Sequence, residues 1–217
     1  MKKYSKKQLE QLKNIIDYVR TTTLGTILNA NNGHVGGNLS SVELLVGLYF
    51  GGKFHFDITN PKNEFRDRVL IRGHEGPLRY TIFSLMDYID KEELTSYRQL
   101  GSILQGHEDM FLVPGVDITP SGSLGMLLSY GVGCAIANKD KQNNAKTIVF
   151  LGDGEEQEGN VSEAARHATN LKLNNLICIL DKNGKQLSGA TNFHDSGADI
   201  KKIWEGYGWE TIEIENG

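Results

Sequence analysis

Apolar positions along the chain follow two rhythms. Near the start, Leu9, Leu12, Ile15, Ile16 and Val19 recur at helical spacing behind Ser5 and Gln8, a capping-box pattern. This predicts a long amphipathic helix ending near Asn29-Ala30-Asn31-Asn32-Gly33. Ser40 with Glu43 repeats the capping signal ahead of Val42, Leu44, Leu45, Leu48 and Tyr49, so a second helix should follow a turn rich in Gly and His. Val69-Leu70-Ile71 reads as a short buried strand that delivers Arg72-Gly73-His74 at its carboxyl end, with Pro77 near the start of the next helix. Asp90 with Glu93 predicts the cap of a charged helix, and 122–139 a helix of small residues suited to close packing on a sheet.

From residue 147 the alternation becomes regular: strand 147–151, helix 158–171, strand 176–180, helix 200–207 and strand 209–214. Strands apolar on both faces and alternating with helices predict an α/β fold, a parallel sheet flanked by helices on both faces, with ligands at the carboxyl ends of the strands. Asp153, Asn183 and His74 fall there. There is no internal repeat and no low-complexity segment, and 217 residues suffice for one domain, 1–217.

Charge narrows the partners. The 23 basic and 27 acidic residues are interspersed, so no footprint for nucleic acid or an anionic membrane exists. Cys134 and Cys178 sit in apolar runs, as reduced buried thiols do, and no apolar run is long enough to span a bilayer or form a signal-peptide core. The expected setting is cytoplasmic. Glycines cluster at 33–37 and 152–154, where backbone approaches a ligand or turns sharply.

The chemistry concentrates in Leu151-Gly152-Asp153-Gly154-Glu155-Glu156-Gln157-Glu158-Gly159. A strand ends, two glycines let the backbone turn, and one carboxylate is presented. A bare carboxylate repels a diphosphate unless a divalent cation lies between them. Magnesium takes about six oxygen ligands, several of which a diphosphate and water supply. Asp153 is one candidate ligand, Asn183 at the end of the next parallel strand a second, and the Lys185 carbonyl a third. Glu155 and Glu156 read as a solvated helix start, where acidic residues favour the dipole.

These segments, with Gly33-His34-Val35-Gly36-Gly37-Asn38-Leu39-Ser40, Leu100-Gly101-Ser102-Ile103-Leu104-Gln105-Gly106-His107 and Ser121-Gly122-Ser123-Leu124-Gly125, resemble the transketolase family in the family's order. The resemblance implies the thiamine diphosphate-binding (PP) fold. It implies that Asp153, Asn183 and the Lys185 carbonyl hold magnesium, for which calcium or manganese can substitute, and that Gly152 and Gly154 meet the diphosphate. It also implies backbone contacts from Gly122 and Leu124 to the aminopyrimidine, a subunit-contact carboxylate at Glu158, and Leu187 packed near the thiazolium. Ketol transfer needs proton movement near neutral pH, the work of imidazole. In the family, the positions of His34 and His107 face substrate and that of His74 lies by the diphosphate. His55, His167 and His194 lack such a setting and read as structural.

The resemblance further implies that this chain is the N-terminal subunit of a split transketolase. The pyrimidine-binding domain, with its activating glutamate, would come from a separate C-terminal subunit in a heterotetramer of two plus two. Activity would require that partner, and the substrates would be small sugars. Relatives continue past Glu215-Asn216-Gly217 into another helix and a His-bearing loop, so C-terminal truncation is an expectation. Val35 departs from the family's Pro, and Met126-Leu127 from its Gln-Gly. The alternatives are a thiamine-dependent 2-oxo acid decarboxylating subunit, which would lack the 100–107 and 122–125 segments, the more distant deoxyxylulose-phosphate synthase, and a noncatalytic cofactor-binding scaffold.

Overall fold

Ser5 opens helix α1 (Lys6–Ala30) with the full capping box: its hydroxyl accepts from the Gln8 N–H while the Gln8 side chain accepts from the Ser5 N–H. Such a cap contributes about 1 kcal/mol. The helix stops at Asn31, whose left-handed φ of 48° lets its N–H reach the Ile27 and Leu28 carbonyls. The computed structural model describes residues 4–118, 122–191 and 198–214; Ser121, His194 and Glu215-Asn216-Gly217 lie outside the described residues. The chain divides into two units, 1–66 with 73–122 and 67–72 with 123–217.

In the first unit, α2 (Val35–Ser40), α3 (Val42–Phe50) and α4 (Gly76–Leu85) join α1. Two capping expectations are corrected. The Ser40 hydroxyl donates back to the Gly37 carbonyl at 3.0 Å, closing α2, and Ser41, at the N-cap position of α3, makes no side-chain cap bond. The Gly-His turn is thus partly helical. Asp90 makes no cap bond, and Lys91–Ser96 is a 3-10 helix. Helix α4 is buried from Gly76 to Ser84, so it must be apolar or internally paired on every side.

The second unit is built on parallel strands β1 (Arg68–Leu70), β2 (Thr147–Gly152) and β3 (Leu176–Asp181) in the order β1-β2-β3, with Gly152 opposite Asp181. Among the described residues its helices are α5 (Leu127–Asp140), the short α6 (Asp153–Glu156), α7 (Gly159–Asn170) and α8 (Ile200–Gly206). Strands β4 (Lys185–Gln186) and β5 (Gly189–Ala190) form a hairpin. Central β2 is buried at every residue, whereas β3 is buried only at Leu176. The α/β class with a parallel sheet and flanking helices agrees with expectation.

Three details differ from it. Helix α5 begins at Leu127 rather than 122, because Gly125 turns left-handed at φ 85°. Residues 209–214 pair with no strand among the described residues: Gly208 turns the chain at φ 92°, and the Trp209 indole donates to the Ala165 carbonyl at 3.0 Å. Side-chain docking, with Trp209 edge-on to Trp204, replaces ladder pairing there. Cys134 and Cys178 take part in no disulfide among the described residues and are half-buried, not buried. Among the described residues, no helix is long and apolar enough to cross a membrane.

The small residues of α5 do allow close approach. A Cβ on Gly131 would sit 2.3 Å from Val149 Cγ2 of β2. Gly131→Val is therefore expected to overpack this contact by about 3 kcal/mol, lowering Tm by roughly 6–12 °C in a thermal melt.

Candidate functional site

In the second unit, β2 ends at Gly152 and α6 starts at Asp153, so the Asp side chain leaves directly from a strand end. It is 3% exposed, and its Oδ2 accepts from the Gly184 N–H at 2.8 Å. Asn183, two residues beyond β3 and exposed, accepts from the Lys185 N–H through Oδ1 at 2.9 Å. These bonds fix the 183–185 loop beside Asp153, and each oxygen retains a second lone pair. Lys185 begins the β4–β5 hairpin, whose tip carries Leu187 fully in solvent. Gly154 faces the same hairpin: a Cβ there would lie 3.2 Å from Gln186 Cβ. The buried Gln186 Oε1 close by has no hydrogen-bond partner among the described residues.

Gly152 is required by its neighbours. Its missing Cβ would meet Arg72 Nη1 at 2.6 Å, and Arg72 pairs with Asp181 at 2.9 Å. Residues at the carboxyl ends of β1 and β3 thus meet across the end of β2. Glu155 and Glu156 are not a solvated helix start. Glu155 is buried and accepts from the Gly125 N–H at 3.1 Å, and Glu156 accepts from the Trp204 indole at 3.1 Å. Their job is to fasten the turn before α5 and helix α8. Glu158 is exposed, and its Cβ lies 2.6 Å from where a Gly125 side chain would begin. Leu124 is exposed beside it.

The first unit collects the three histidines. His34 precedes α2, and its ring centroid lies 5.3 Å from that of His74. Gly37 makes room for His74, since a Cβ there would fall 2.7 Å from Nε2. Gly122 lies against His107, with its Cβ position 3.5 Å from Cδ2. Burial first, then Arg98 and the neighbouring His34, pull the His107 pKa below the ordinary imidazole value, which favours the neutral ring. His55 and His167 are exposed.

Asn38 organises this cluster. Fully buried, its amide donates to the carbonyls of His34 (2.6 Å) and His74 (2.8 Å), and its oxygen accepts from the Leu78 N–H of α4 (3.0 Å). One side chain holds both loops on one helix.

The family model described as transketolase, thiamine diphosphate binding domain, matches residues 11–217. The chain belongs to the transketolase family. It is 36% identical over 213 residues to an apulose-4-phosphate transketolase subunit of Phocaeicola vulgatus, covering 95% of this chain and 73% of that protein. It is 35% identical to a 6-deoxy-6-sulfo-D-fructose transketolase subunit of a Clostridium species, covering 97% and 76%. Among solved structures, a mutant transketolase of Pichia stipitis superposes with a TM-score of 0.84 at 32% identity, over 94% of this chain and 31% of the other. The chain thus spans about three quarters of the separate subunits and about a third of that transketolase chain.

Asn38, Glu155 and the buried pair Arg79–Glu108 escaped the motif reading of this transketolase-family chain. Asn38 stands inside the 33–40 motif, but nothing local marks its three bonds. Arg79 carried a usable signal, a charge in an otherwise helix-buried stretch.

Proposed function

We propose that this chain is the diphosphate-binding subunit of a split transketolase, which moves a two-carbon ketol unit from a ketose donor to an aldose acceptor. The carrying observation is Asp153, a buried carboxylate at a strand end against a loop that offers Asn183 and Lys185. High coverage of proteins named as transketolase subunits supports the split-enzyme reading over a 2-oxo acid decarboxylase or a scaffold.

The residues fit thiamine diphosphate with magnesium. A carboxylate, an amide oxygen and a carbonyl are three hard donors. Among the described residues no three His, Cys, Asp or Glu side chains cluster tightly enough to hold a metal, so the remaining ligands fall to the diphosphate and water. Asp153, Asn183 and the Lys185 carbonyl would hold the cation, and Gly152, Gly154 and His74 would meet the diphosphate. Gly122 and Leu124 would line the aminopyrimidine, Leu187 the thiazolium and Glu158 the subunit contact. Thiamine diphosphate, held by these residues, would supply a carbon nucleophile for ketol transfer.

His34 and His107 would face the sugar. Kept neutral, His107 accepts a hydroxyl proton from the sugar and returns it as the carbonyl is formed and consumed. One relative is named for a sugar phosphate and the other for a sulfonated sugar; an anionic ketose, a sugar phosphate by default, is the proposed donor here. The proposed assembly is two of these chains with two pyrimidine-binding chains, in the cytoplasm.

The test is to copurify the chain with the product of its adjacent gene and assay ketol transfer with thiamine diphosphate and magnesium. The pair should be active and the isolated chain inactive. Equal activity of the isolated chain would overturn the split-enzyme reading.

A further inference from the structure

Arg79 and Glu108 are each completely buried, with Nε and Oε2 3.1 Å apart. Their alignment is poor for a hydrogen bond, and Arg79 Nη2 and both Glu108 oxygens lack a hydrogen-bond partner among the described residues. The attraction is therefore mainly between charges, helped by the guanidinium lying 5.7 Å from the Phe83 ring centroid. Such a pair is a poor way to stabilise a core. Desolvating two ions consumes most of the attraction, and an apolar pair of similar volume is often as stable or more so. Burial pushes the Glu108 carboxyl up to about 7 against the pull of Arg79, with Asp117 and Glu75 pushing further. Tyr49 of α3 and Tyr80 of α4 also face this group.

The location suggests what the pair provides. Glu108 directly follows His107, and Arg79 sits in the first turns of α4, the helix entered from His74 through Glu75. The neighbouring Tyr80 hydroxyl donates to the Gln105 carbonyl at 2.9 Å. Consecutive residues of α4 therefore hold the chain on both sides of Gly106-His107. Between them, Arg98 fills the space over Gly106, where a Cβ would lie 2.6 Å from its Cζ.

We propose that Arg79 and Glu108 are positioning residues for His107, the buried ion pair locking the His107 loop onto the helix that follows His74. The inference rests on the reading that His107 faces the sugar. It predicts that charge, rather than filled volume, matters at these positions.

The test uses the chain assembled with its partner and compares wild type, Arg79→Met, Glu108→Leu and the double variant. Each single change breaks the pair, stranding the Arg79 cation or forcing the Glu108 carboxyl to protonate, and should lower Tm. The double should regain most of the lost Tm, while its kcat stays about tenfold or more below wild type with donor KM within about threefold. His107→Ala should then cost far less in the double variant than in wild type. Recovery of kcat together with Tm overturns the proposal, leaving the pair a structural feature only. Should the double variant not fold, Glu108→Gln keeps the shape and removes the charge; wild-type kcat in that variant overturns the proposal equally. The His107→Ala control separates the two levels. No effect of it on kcat sinks the sugar-facing reading and the positioning role with it, whereas a loss of kcat beside a fully active double variant sinks only the positioning role.

Discussion

Asp153→Ala is expected to lower thiamine diphosphate affinity of the assembled enzyme by roughly a hundredfold or more, the largest effect of any single site change. Two losses combine. The cation would lose its only carboxylate in the proposed donor set, and the Gly184 N–H would lose the acceptor that holds the 183–185 loop. The second loss alone is about 1 kcal/mol, since Gly184 is exposed and water can take the place of the acceptor. Asp153→Asn divides them, since an amide oxygen still accepts from Gly184 but brings no charge. It should melt near wild type and still bind the cofactor poorly. Titration calorimetry with magnesium and with a chelator measures both. An Asp153→Ala affinity within about threefold of wild type would remove the metal assignment. Magnesium without the cofactor should bind only weakly, because one carboxylate, one amide and one carbonyl leave roughly half of an octahedral shell to water.

The second large effect is expected at Asn38. In Asn38→Ala, two carbonyls and one N–H lose their buried partner together. At roughly 1–3 kcal/mol for each stranded group, partly relieved by water entering the space, the net loss should be about 4 kcal/mol, a fall in Tm of roughly 8–16 °C. Asn38→Asp tests the mechanism, because its carboxylate can accept from Leu78 but cannot donate to His34 or His74. It should be nearly as unstable as the alanine variant. If Asn38→Asp melts with wild type, the two carbonyl bonds are not what holds the loops.

Local rules read well where structure is local. The capping box at Ser5 and the strand-helix-strand rhythm from Thr147 to Asp181 are satisfied within one element and its neighbour, so they appear in the sequence as they appear in space. The readings that failed were those where another group, near or far along the chain, competed for the side chain. Ser40 resembles a cap but has the Gly37 carbonyl nearer, and Glu155 and Glu156 resemble solvated acids until Gly125 and Trp204 arrive. The alternating 209–214 run has no strand partner among the described residues, a tertiary fact its own alternation does not contain. The candidate site divides likewise. Its glycines, histidines and Asp153 stand in short motifs, whereas the Asn38 hub and the Arg79–Glu108 lock join residues from separate motifs and exist only once the helices have packed.

Gly152 carries a consequence for descent. Its missing side chain leaves the gap through which Arg72 reaches Asp181, so the sheet demands glycine there whether or not any ligand is bound. Asp153 next to it owes the fold only an acceptor for the Gly184 N–H, which an amide oxygen also provides. In a duplicated copy of this gene that had abandoned catalysis, selection would keep Gly152 and tolerate asparagine in place of Asp153. A glycine followed by asparagine at this strand end would therefore be the mark of a lapsed enzyme with an intact fold.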